Sequence, residues 1–541
     1  DASVSGRFFD YLEEFCTGMQ QAEERDQILF RRPYTDDDSA KTFFRLKDLE
    51  LFLTKANFKS YKTHQIAQRL RDVNGEATQI KIKGRAVRAA KRFDLNPDHD
   101  LPFFRTLHSL AFRLIGMRSE QLMTQEHYQE VSNRIGISLA VTGYVDQEDD
   151  FSGVLKRESP LLRLISLARL KQTPLQTEYN RSNIEYTWTE VDYVSRSLDE
   201  YKQINGLYDY TDMLEMFVEN GHQMCPPFKL CLLDEAQDLS PLQWKIAHLL
   251  DQKSEKMFCA GDDDQAIYEW AGADVQHFIS LEGGSEVLEQ SYRVPAEIHR
   301  LATNIANRIK RRFPKKYLPK NEPGKIQRIY GTGEIDFSSG EWLILSQANY
   351  QLQPVAQDLR QRGVYFEERG HPSVRPKVSV ALDAWRKLRR GEAIDLASAK
   401  AMYSFMRGNG ARVARGSKTI RADADAMFTL ESLQEFHGLL ATQEMGWEEA
   451  LDRLPDVDRV YLNVLLKSGE NLLEMPRVRL STIHGAKGGE AENVVLFTDL
   501  TAAAETSMTI EPDVMHRVFY VAVTRSKQNL YLVEPDDYGR S

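Results

Sequence analysis

The sequence predicts an α/β fold with two parallel-sheet domains, helical insertions and a small N-terminal α+β unit. Two apolar runs, Lys229–Leu233 and Lys256–Ala260, each lead into a loop rich in acidic residues, as is typical of buried parallel strands. Two later apolar runs, Trp342–Ser346 and Asn529–Val533, predict strands of a second sheet, which the last run is expected to close. Charged, mostly helical stretches between these runs predict the insertions.

The composition limits the class of protein. A chain of 541 residues is too long for one hydrophobic core, so we expect about three or four domains. The cysteines Cys16, Cys225, Cys231 and Cys259 show no Cys-x-x-Cys spacing, which predicts free thiols and a reducing, intracellular setting. The sequence has neither a membrane-length apolar window nor a signal-peptide pattern at its start, so we expect a soluble, cytoplasmic protein.

The net charge of -10 argues against a generic polyanion binder, but phosphate contact depends on local patches. One patch is Lys55–Arg92, with eleven Lys/Arg against two acids. The second comprises Arg308, Lys310, Arg311, Arg312, Lys315, Lys316 and Lys320. Each patch is either a solvated face or a phosphate-contacting surface, and the charges alone leave both interpretations open.

Residues 1–89 are predicted to form a separate unit. Two amphipathic stretches, Leu46–Asn57 and His64–Val73, precede a basic β-like ribbon, Ala77–Arg88. The order helix, helix and basic hairpin is that of a winged-helix module that contacts DNA. A short α+β protein-binding domain would show the same pattern, so this alternative stays open.

The acidic pair Asp234–Glu235 is the main candidate for chemistry. It lies at the carboxyl end of a predicted parallel strand, where nucleoside triphosphatases hold Mg²⁺ and orient a water molecule. A solvated acidic loop would be the ordinary interpretation of an isolated Asp-Glu pair.

Five further stretches, together with this acidic pair, resemble the motifs of a known protein family. They are Gly261–Trp270, Thr106–Ser109, Leu288–Arg293, Ser481–Gly488 and Tyr520–Ser526. In their order and separations they resemble the motifs of the UvrD/Rep/PcrA-like superfamily-one DNA helicases over about residues 90–541. The motif at Ser481 departs from the common pattern at Gly489 and Ala491, where a large apolar pair is more usual.

The resemblance implies a domain plan. Residues 90–285 would form an incomplete RecA-like domain 1A, with a 1B insertion at about 118–205. Residues 286–541 would form RecA-like domain 2A, with a small 2B insertion at about 370–476. Within that insertion, Met406–Ala426 is predicted to be exposed helix and loop.

The resemblance also implies roles in using ATP and Mg²⁺. Asp234 would coordinate Mg²⁺, Glu235 would polarise the attacking water, and Gln265 would sense the γ-phosphate. Arg293 and Arg525 would act as arginine fingers on the phosphoryl oxygens. Expected nucleotide contacts are Tyr292 with adenine, Glu490 with the ribose, and Gln237.

DNA contacts are implied for a second set of residues. Tyr268 and Trp270 would lie against the bound single strand, because a base needs an aromatic face. The other members of the set are Thr106, His108, Thr482 and His484, in motifs that contact the DNA or relay between sites. Trp270 could instead be a core residue, and Thr106 and His108 a helix cap and a satisfied core histidine.

One family element is missing from the 541 residues: Gly-x-x-x-x-Gly-Lys-Ser/Thr, the loop that cradles the triphosphate. The nearest Lys-Thr pair, Lys41-Thr42, follows acidic residues where glycines are needed, so we exclude it. Either a winged-helix-like module has replaced the N-terminal lobe, or the sequence joins parts of two reading frames.

The leading hypothesis is an ATP-dependent helicase that moves 3′ to 5′ on single-stranded DNA and acts at DNA junctions, with replication or repair partners that the sequence does not identify. The second hypothesis is a catalytically silent DNA-binding protein derived from such a helicase. A nuclease-helicase subunit ranks last, because neither residues 1–40 nor the C-terminus shows a nuclease carboxylate cluster.

Overall fold

The structure is a computed structural model of the chain. It describes residues 103–139, 159–423 and 426–534, together with residues 8, 11, 12, 15, 16, 34–36, 41–43, 49, 52 and 53. The chain divides into two compact units. The first unit contains residues 1–100, 337–339 and 354–480, and the second contains residues 101–336, 340–353 and 481–541.

The second unit begins with a set of helices. They are α1 (Leu107–Leu114), α2 (Gln125–Ile135), α3 (Pro160–Leu170), α4 (Leu175–Arg181), α5 (Trp188–Asn205) and α6 (Tyr210–Met224). Helix α5 begins at a capping box made by Thr187 and Glu190 and ends at Gly206, whose φ of 62° closes the helix. Val191, Val194 and Leu198 on α5 are buried, so this face joins the core of the helical region.

A cluster of partly buried ions joins three of these helices. Arg169 at the end of α3 contacts Asp209, Asp212 and Glu215 at distances of 2.9, 2.5 and 2.6 Å. Lys202 on α5 lies 2.8 Å from Asp209. Burial opposes ionisation of Asp209, but Arg169 and Lys202 lower the pKa of that carboxyl on balance.

Two short parallel strands follow, β3 (Cys231–Leu233) and β4 (Met257–Cys259), with helix α7 (Pro241–Gln252) between them. The sequence predicted strands buried on both faces. Only one face is covered, because Leu232 is 68% exposed and Phe258 is 58% exposed while Leu233 is buried. The prediction was therefore wrong for one face of this pair. Helix α8 (Val275–Ile279) follows β4.

The remainder of the second unit is built on four parallel strands. Their order is β8 (Trp342–Ser346), β14 (Ala491–Phe497), β15 (Ser526–Val533) and β7 (Lys325–Ile329). Strand β15 lies between β14 and β7, so the prediction that the last strand closes this sheet was wrong. Helices α9 (Ala296–Ala306) and α17 (Pro512–Val523) share a hydrophobic core with β14, and α16 (Ala502–Ile510) precedes α17.

Strand β5 (Gln290–Pro295) pairs in parallel with β6 (Leu318–Lys320). Tyr292 and Arg293 lie within β5, because the hydrogen-bonded ladder begins at Gln290 and continues to Pro295.

The first unit contains strands β9 (Phe366–Glu368) and β10 (His371–Pro372) and the paired residues of β13 (Val478–Thr482). Strand β9 is parallel to β13 and antiparallel to β10. A second small sheet joins β11 (Ile394–Asp395) to β12 (Met427–Phe428). Helix α10 (Asn349–Gln361) begins in the second unit and belongs to the first from residue 354 onward. The other helices of the first unit are α11 (Pro376–Arg389), α12 (Leu396–Ser404), α13 (Leu430–Phe436), α14 (Trp447–Ala450) and α15 (Asp456–Lys467).

The fold class predicted from the sequence is confirmed: the chain is a mixed α/β protein with parallel strands and many helices, consistent with RecA-like domains. The run from Met406 to Ala426 is loop wherever it is described, since α12 ends at Ser404, so the prediction of helix there was wrong. Among the described residues, no helix is long and apolar enough to cross a membrane. The four cysteines are free thiols, as predicted.

Most of the predicted winged-helix unit lies outside the described residues. The described part includes β1 (Tyr34–Asp36) paired antiparallel with β2 (Lys41–Phe43) and a buried apolar cluster at Phe8, Phe15, Leu49 and Leu53. Lys41 and Thr42 form part of β2, which agrees with their exclusion as a phosphate loop. The predicted boundaries at residues 89 and 285 stay predictions.

Candidate functional site

The acidic pair Asp234–Glu235 immediately follows β3. Asp234 is exposed, and one of its carboxylate oxygens accepts a hydrogen bond of 3.0 Å from the backbone N–H of Glu235. Glu235 has a φ of 54°, in the left-handed region that non-glycine residues rarely adopt. Such strain is concentrated at functional sites, where the surrounding structure holds it. The local geometry therefore fits a carboxylate pair held in a fixed orientation.

Gln237 connects this pair to the loop after β4. It is fully buried, donates 2.8 Å to Glu235, and accepts 3.0 Å from the backbone N–H of Asp262. A Cβ at Gly261 would collide with the Gln237 side chain and lie 2.8 Å from Phe278, so glycine is needed there. The structure places Gln237 as a link between two loops, and its contact with a nucleotide stays a prediction.

Gln265 joins this network to helix α17 and the loop that follows it. It donates 2.6 Å to Asp262 and accepts 2.9 Å from the Arg525 guanidinium. Arg525 is almost fully buried, and burial together with the nearby Arg293 lowers its pKa to about 10. Arg525 therefore remains a cation at neutral pH. A continuous chain of hydrogen bonds runs from Glu235 to this arginine.

An open cleft of about 2600 Å³ collects most of the predicted nucleotide residues. Its lining includes Gln265, Tyr292, Arg293, Glu490 and Arg525. Its lining does not include Asp234 or Glu235; Glu235 is connected to it by hydrogen bonds through Gln237 and Asp262.

Glu490 is an ionic centre of this cleft. It lies 2.6 Å from Arg293 and 2.9 Å from Lys527. Burial raises the pKa of Glu490, but the hydrogen bonds and charges of Lys527 and Arg293 lower it on balance. Tyr292 is 88% exposed, so one side of its ring is open to a planar group.

Lys487, for which the sequence gave no individual role, contacts three elements of the site. Its ammonium donates to the Asp238 carboxylate and, at 2.8 Å, to the backbone carbonyl of Gln265. It also lies 4.9 Å from the ring centroid of Tyr268. Burial raises the pKa of Asp238 to about 6, against the attraction of Lys487. Lys487 thus joins the acidic motif to the aromatic residues.

The predicted DNA-stacking residues lie together. Trp270 is 42% exposed, and its ring centroid lies 6.3 Å from Tyr268 and 6.1 Å from His484. The Tyr268 hydroxyl donates 3.3 Å to the His484 carbonyl. Burial lowers the pKa of His484, so the imidazole is neutral at physiological pH. The interpretation of Trp270 as a core residue is wrong, because a large part of its ring is exposed.

Three other predicted DNA residues have local structural roles. Thr106 caps α1 by accepting 3.2 Å from the N–H of Ser109, and Thr482 accepts 3.1 Å from the N–H of Gly485. His108 packs against Tyr210, and burial lowers its pKa to about 4. Their contacts with DNA stay predictions.

A buried ionic cluster in the second unit was missed by sequence analysis. Arg312 donates 2.8 and 2.6 Å to Asp264, while Lys315 lies 2.8 Å from Asp262 and also contacts Asp263. Arg517 donates 2.9 Å to the carbonyl of Asp263. Arg312 and Lys315 belonged to the basic patch considered for phosphate contact. Neither interpretation of that patch, a solvated face or a phosphate-contacting surface, holds for these two residues, because their charges face inward onto carboxylates.

Comparison with known proteins identifies two family models in the chain. Residues 55–284 match the UvrD/REP helicase N-terminal domain, and residues 477–533 match the UvrD-like helicase C-terminal domain. Together the matches cover slightly more than half of the 541 residues. The first match begins at residue 55, inside the region predicted to be a separate unit.

Individual relatives agree with these models. A probable DNA helicase II homolog of Rickettsia conorii is 28% identical over 282 residues, which is 46% of this chain and 42% of that protein. The ATP-dependent DNA helicase PcrA of Staphylococcus epidermidis is 26% identical over 308 residues, covering 51% of this chain and 40% of the relative. PcrA of Bacillus subtilis is 24% identical over 272 residues, which is 46% of this chain and 35% of that protein. The chain thus matches well under half the length of each relative.

Proposed function

Since this chain is UvrD/Rep/PcrA-like, we propose that it uses ATP hydrolysis to move along single-stranded DNA and separate strands, with 3′ to 5′ polarity. The observation that supports this most is the unbroken hydrogen-bond chain Glu235, Gln237, Asp262, Gln265 and Arg525. This chain joins the Glu235 carboxylate, after β3, to the Arg525 guanidinium, after α17. Phosphate contact at one end would therefore alter the hydrogen bonds at the other end.

The charges in the cleft suit a triphosphate. Arg293 and Arg525 provide planar donors for the charge that accumulates on the phosphoryl oxygens. Arg293 is held by Glu490, so binding a nucleotide would exchange one anionic partner for another. Glu235, held by Gln237, is the group that would orient the attacking water and take its proton.

Mg²⁺ fits the same loop. Asp234 presents an exposed carboxylate at the end of β3, and carboxylate oxygens are ligands that Mg²⁺ prefers. Among the described residues, no group of three or more His, Cys, Asp or Glu side chains could hold a metal ion by itself. The remaining ligands would therefore be phosphate oxygens and water, and the ion would neutralise phosphate charge.

The aromatic group Tyr268, Trp270 and His484 is the proposed contact with DNA bases. Stacking on Trp270 tolerates any base, which suits a protein that moves along a strand of arbitrary sequence. Lys487 joins this group to Asp238 and Gln265, so a shift at the nucleotide can reach the DNA contact. We place its action inside the cell, at DNA junctions, with replication or repair proteins as partners.

Substitution of the proposed base tests this function. Glu235→Gln keeps the shape of the side chain but removes its basicity, so kcat for DNA-stimulated ATP hydrolysis should fall by roughly 10² to 10⁴-fold. Binding of a single-stranded oligonucleotide should stay within about twofold of the parent, since the substitution changes the proposed water-orienting group and none of the proposed stacking residues. Glu219→Gln, an exposed carboxylate on α6, is the matched control and should retain parental turnover.

The assay uses millimolar Mg²⁺-ATP with and without single-stranded DNA. If the unmutated protein shows no turnover above background under these conditions, ATP hydrolysis is refuted. The chain would then be a catalytically silent DNA-binding protein, provided that it still binds the oligonucleotide.

A further inference from the structure

Arg163 occupies one face of the Trp270 indole. Its guanidinium carbon lies 4.7 Å from the ring centroid, the geometry of a cation–π contact. Arg163 lies in the first turn of α3, after the capping residue Ser159. Its neighbours Leu162 and Leu164 are buried while Arg163 is exposed, so packing of the helix fixes the position from which the arginine reaches the ring.

The Arg163 guanidinium has no hydrogen-bond or ion-pair partner among the residues that the structure describes. The acid next to Trp270, Glu269, contacts Arg517 at 3.2 Å. The contrast with Arg169 on the same helix is direct, because that guanidinium contacts three carboxylates. Arg169 has the partners of a structural arginine, and Arg163 does not.

We propose that Arg163 completes the strand-binding site by binding a backbone phosphate of the nucleotide whose base stacks on the open face of Trp270. This inference rests on the proposed function and adds a residue to its DNA site. When a guanidinium stacks on an aromatic ring, its N–H groups stay in the guanidinium plane and point away from the ring axis, where they can donate hydrogen bonds. A phosphodiester next to a stacked base would lie at that side, and phosphate, like carboxylate, accepts paired hydrogen bonds from a guanidinium.

Among the described residues, no aromatic ring is stacked face to face on Trp270. Tyr268 and His484 meet the indole at interplanar angles of 60° and 80°, so they contact it edge to face, not as stacked planes. Arg163 occupies one stacking position, and 42% of Trp270 is still exposed. We infer that base and guanidinium lie on opposite faces of the same ring.

Salt dependence of binding distinguishes a phosphate contact from a purely structural role. Fluorescence anisotropy with a labelled oligothymidine, between about 50 and about 200 mM salt, gives the slope of log affinity against log salt. Loss of one contact to a single-strand phosphate in Arg163→Ala should make this slope shallower by about 0.7 and weaken low-salt binding by roughly tenfold.

Three further variants make the result specific. Arg163→Lys keeps the charge, so it should keep the parental slope with a smaller loss of affinity. Arg196→Ala removes another exposed arginine, one that is already paired with Asp192, and should leave both the slope and the low-salt affinity unchanged. Trp270→Ala should weaken binding at every salt concentration while changing the slope little, because stacking releases few counterions.

The outcomes separate the two proposals. If the parent does not bind oligothymidine, the proposed function and this inference both fail. If the parent binds and Trp270→Ala weakens binding, but Arg163→Ala keeps the parental slope, the function stands and the phosphate contact is refuted. Tighter binding by Arg163→Ala would also refute it, because the guanidinium would then be competing with the base for the ring.

Discussion

Removal of the Lys487 ammonium should lower the free energy of unfolding of the second unit, whether or not a ligand is bound. The side chains of Lys487 and Asp238 are 8% and 3% exposed, and the two groups form a direct ion pair. In the described part of the chain, the second carboxylate oxygen of Asp238 is buried without a hydrogen bond. Lys487→Met would therefore leave a buried carboxylate uncompensated, at a cost of about 3 to 5 kcal/mol in the free energy of unfolding.

The loss should depend on pH in a defined direction. Burial raises the pKa of Asp238 from an ordinary value of about 3.9 to about 6, which corresponds to roughly 3 kcal/mol. A raised pKa in the folded state favours the folded protein below about pH 4, and this contribution disappears as the pH rises through about 6. Lys487→Met raises the pKa further, so its destabilisation should be large at pH 8 and smaller at pH 5, where Asp238 takes up a proton.

Urea unfolding followed by tryptophan fluorescence at pH 5, pH 6.5 and pH 8 measures both effects. Lys487→Met/Asp238→Asn removes the charge along with its partner, and should recover most of the stability lost in the single variant at pH 8. Lys245→Met, an exposed lysine on α7, is the control and should stay near the parent. Equal stability losses in the single and double variants, or a loss that grows toward pH 5, would refute the reasoning.

Three further predictions concern ligands. Trp270→Ala should weaken binding to single-stranded DNA by about 1 to 3 kcal/mol with little base preference, while Trp270→Phe should keep most of the affinity; parental affinity of the alanine variant across several salt concentrations would show that stacking is absent. Charge reversals within Lys55–Arg92 should make the salt dependence of DNA binding shallower. The 541 residues contain no phosphate loop, and each missing charge-assisted bond is worth about 1.5 to 3 kcal/mol. Titration calorimetry should therefore give this chain an ATP dissociation constant above the micromolar range. A version extended by a phosphate-loop segment should bind ATP with a micromolar dissociation constant. Micromolar binding by the 541 residues alone would reveal a phosphate site elsewhere.

Local sequence pattern was enough for some elements. Trp342–Ser346 was predicted from five consecutive residues that suit burial on both faces, and all five are buried in β8. The motifs and their spacing identified four residues that line one cleft: Gln265, Arg293, Glu490 and Arg525. The distances between their side chains could not be predicted from the sequence.

Other features depend on partners that are distant along the chain. Arg312 and Lys315 look like surface charges in sequence, because their acidic partners lie about 50 residues earlier. The exposed face of Leu232 and Phe258 could not be predicted either, since local apolarity does not say which neighbours will cover a strand. The stacking of Arg163 on Trp270 joins residues more than 100 positions apart and carries no local signal.

The ion cluster at Arg169 gives the helical region a mechanical property. Arg169, Lys202 and Asp209 tie α3, α5 and the start of α6 together at one end, and separating these partly buried ion pairs would leave each charge without its partner. We therefore expect the three helices to move as one body at this end. Six residues, 225–230, connect α6 to β3, so a displacement of this body would reach Asp234 through a short connecting segment.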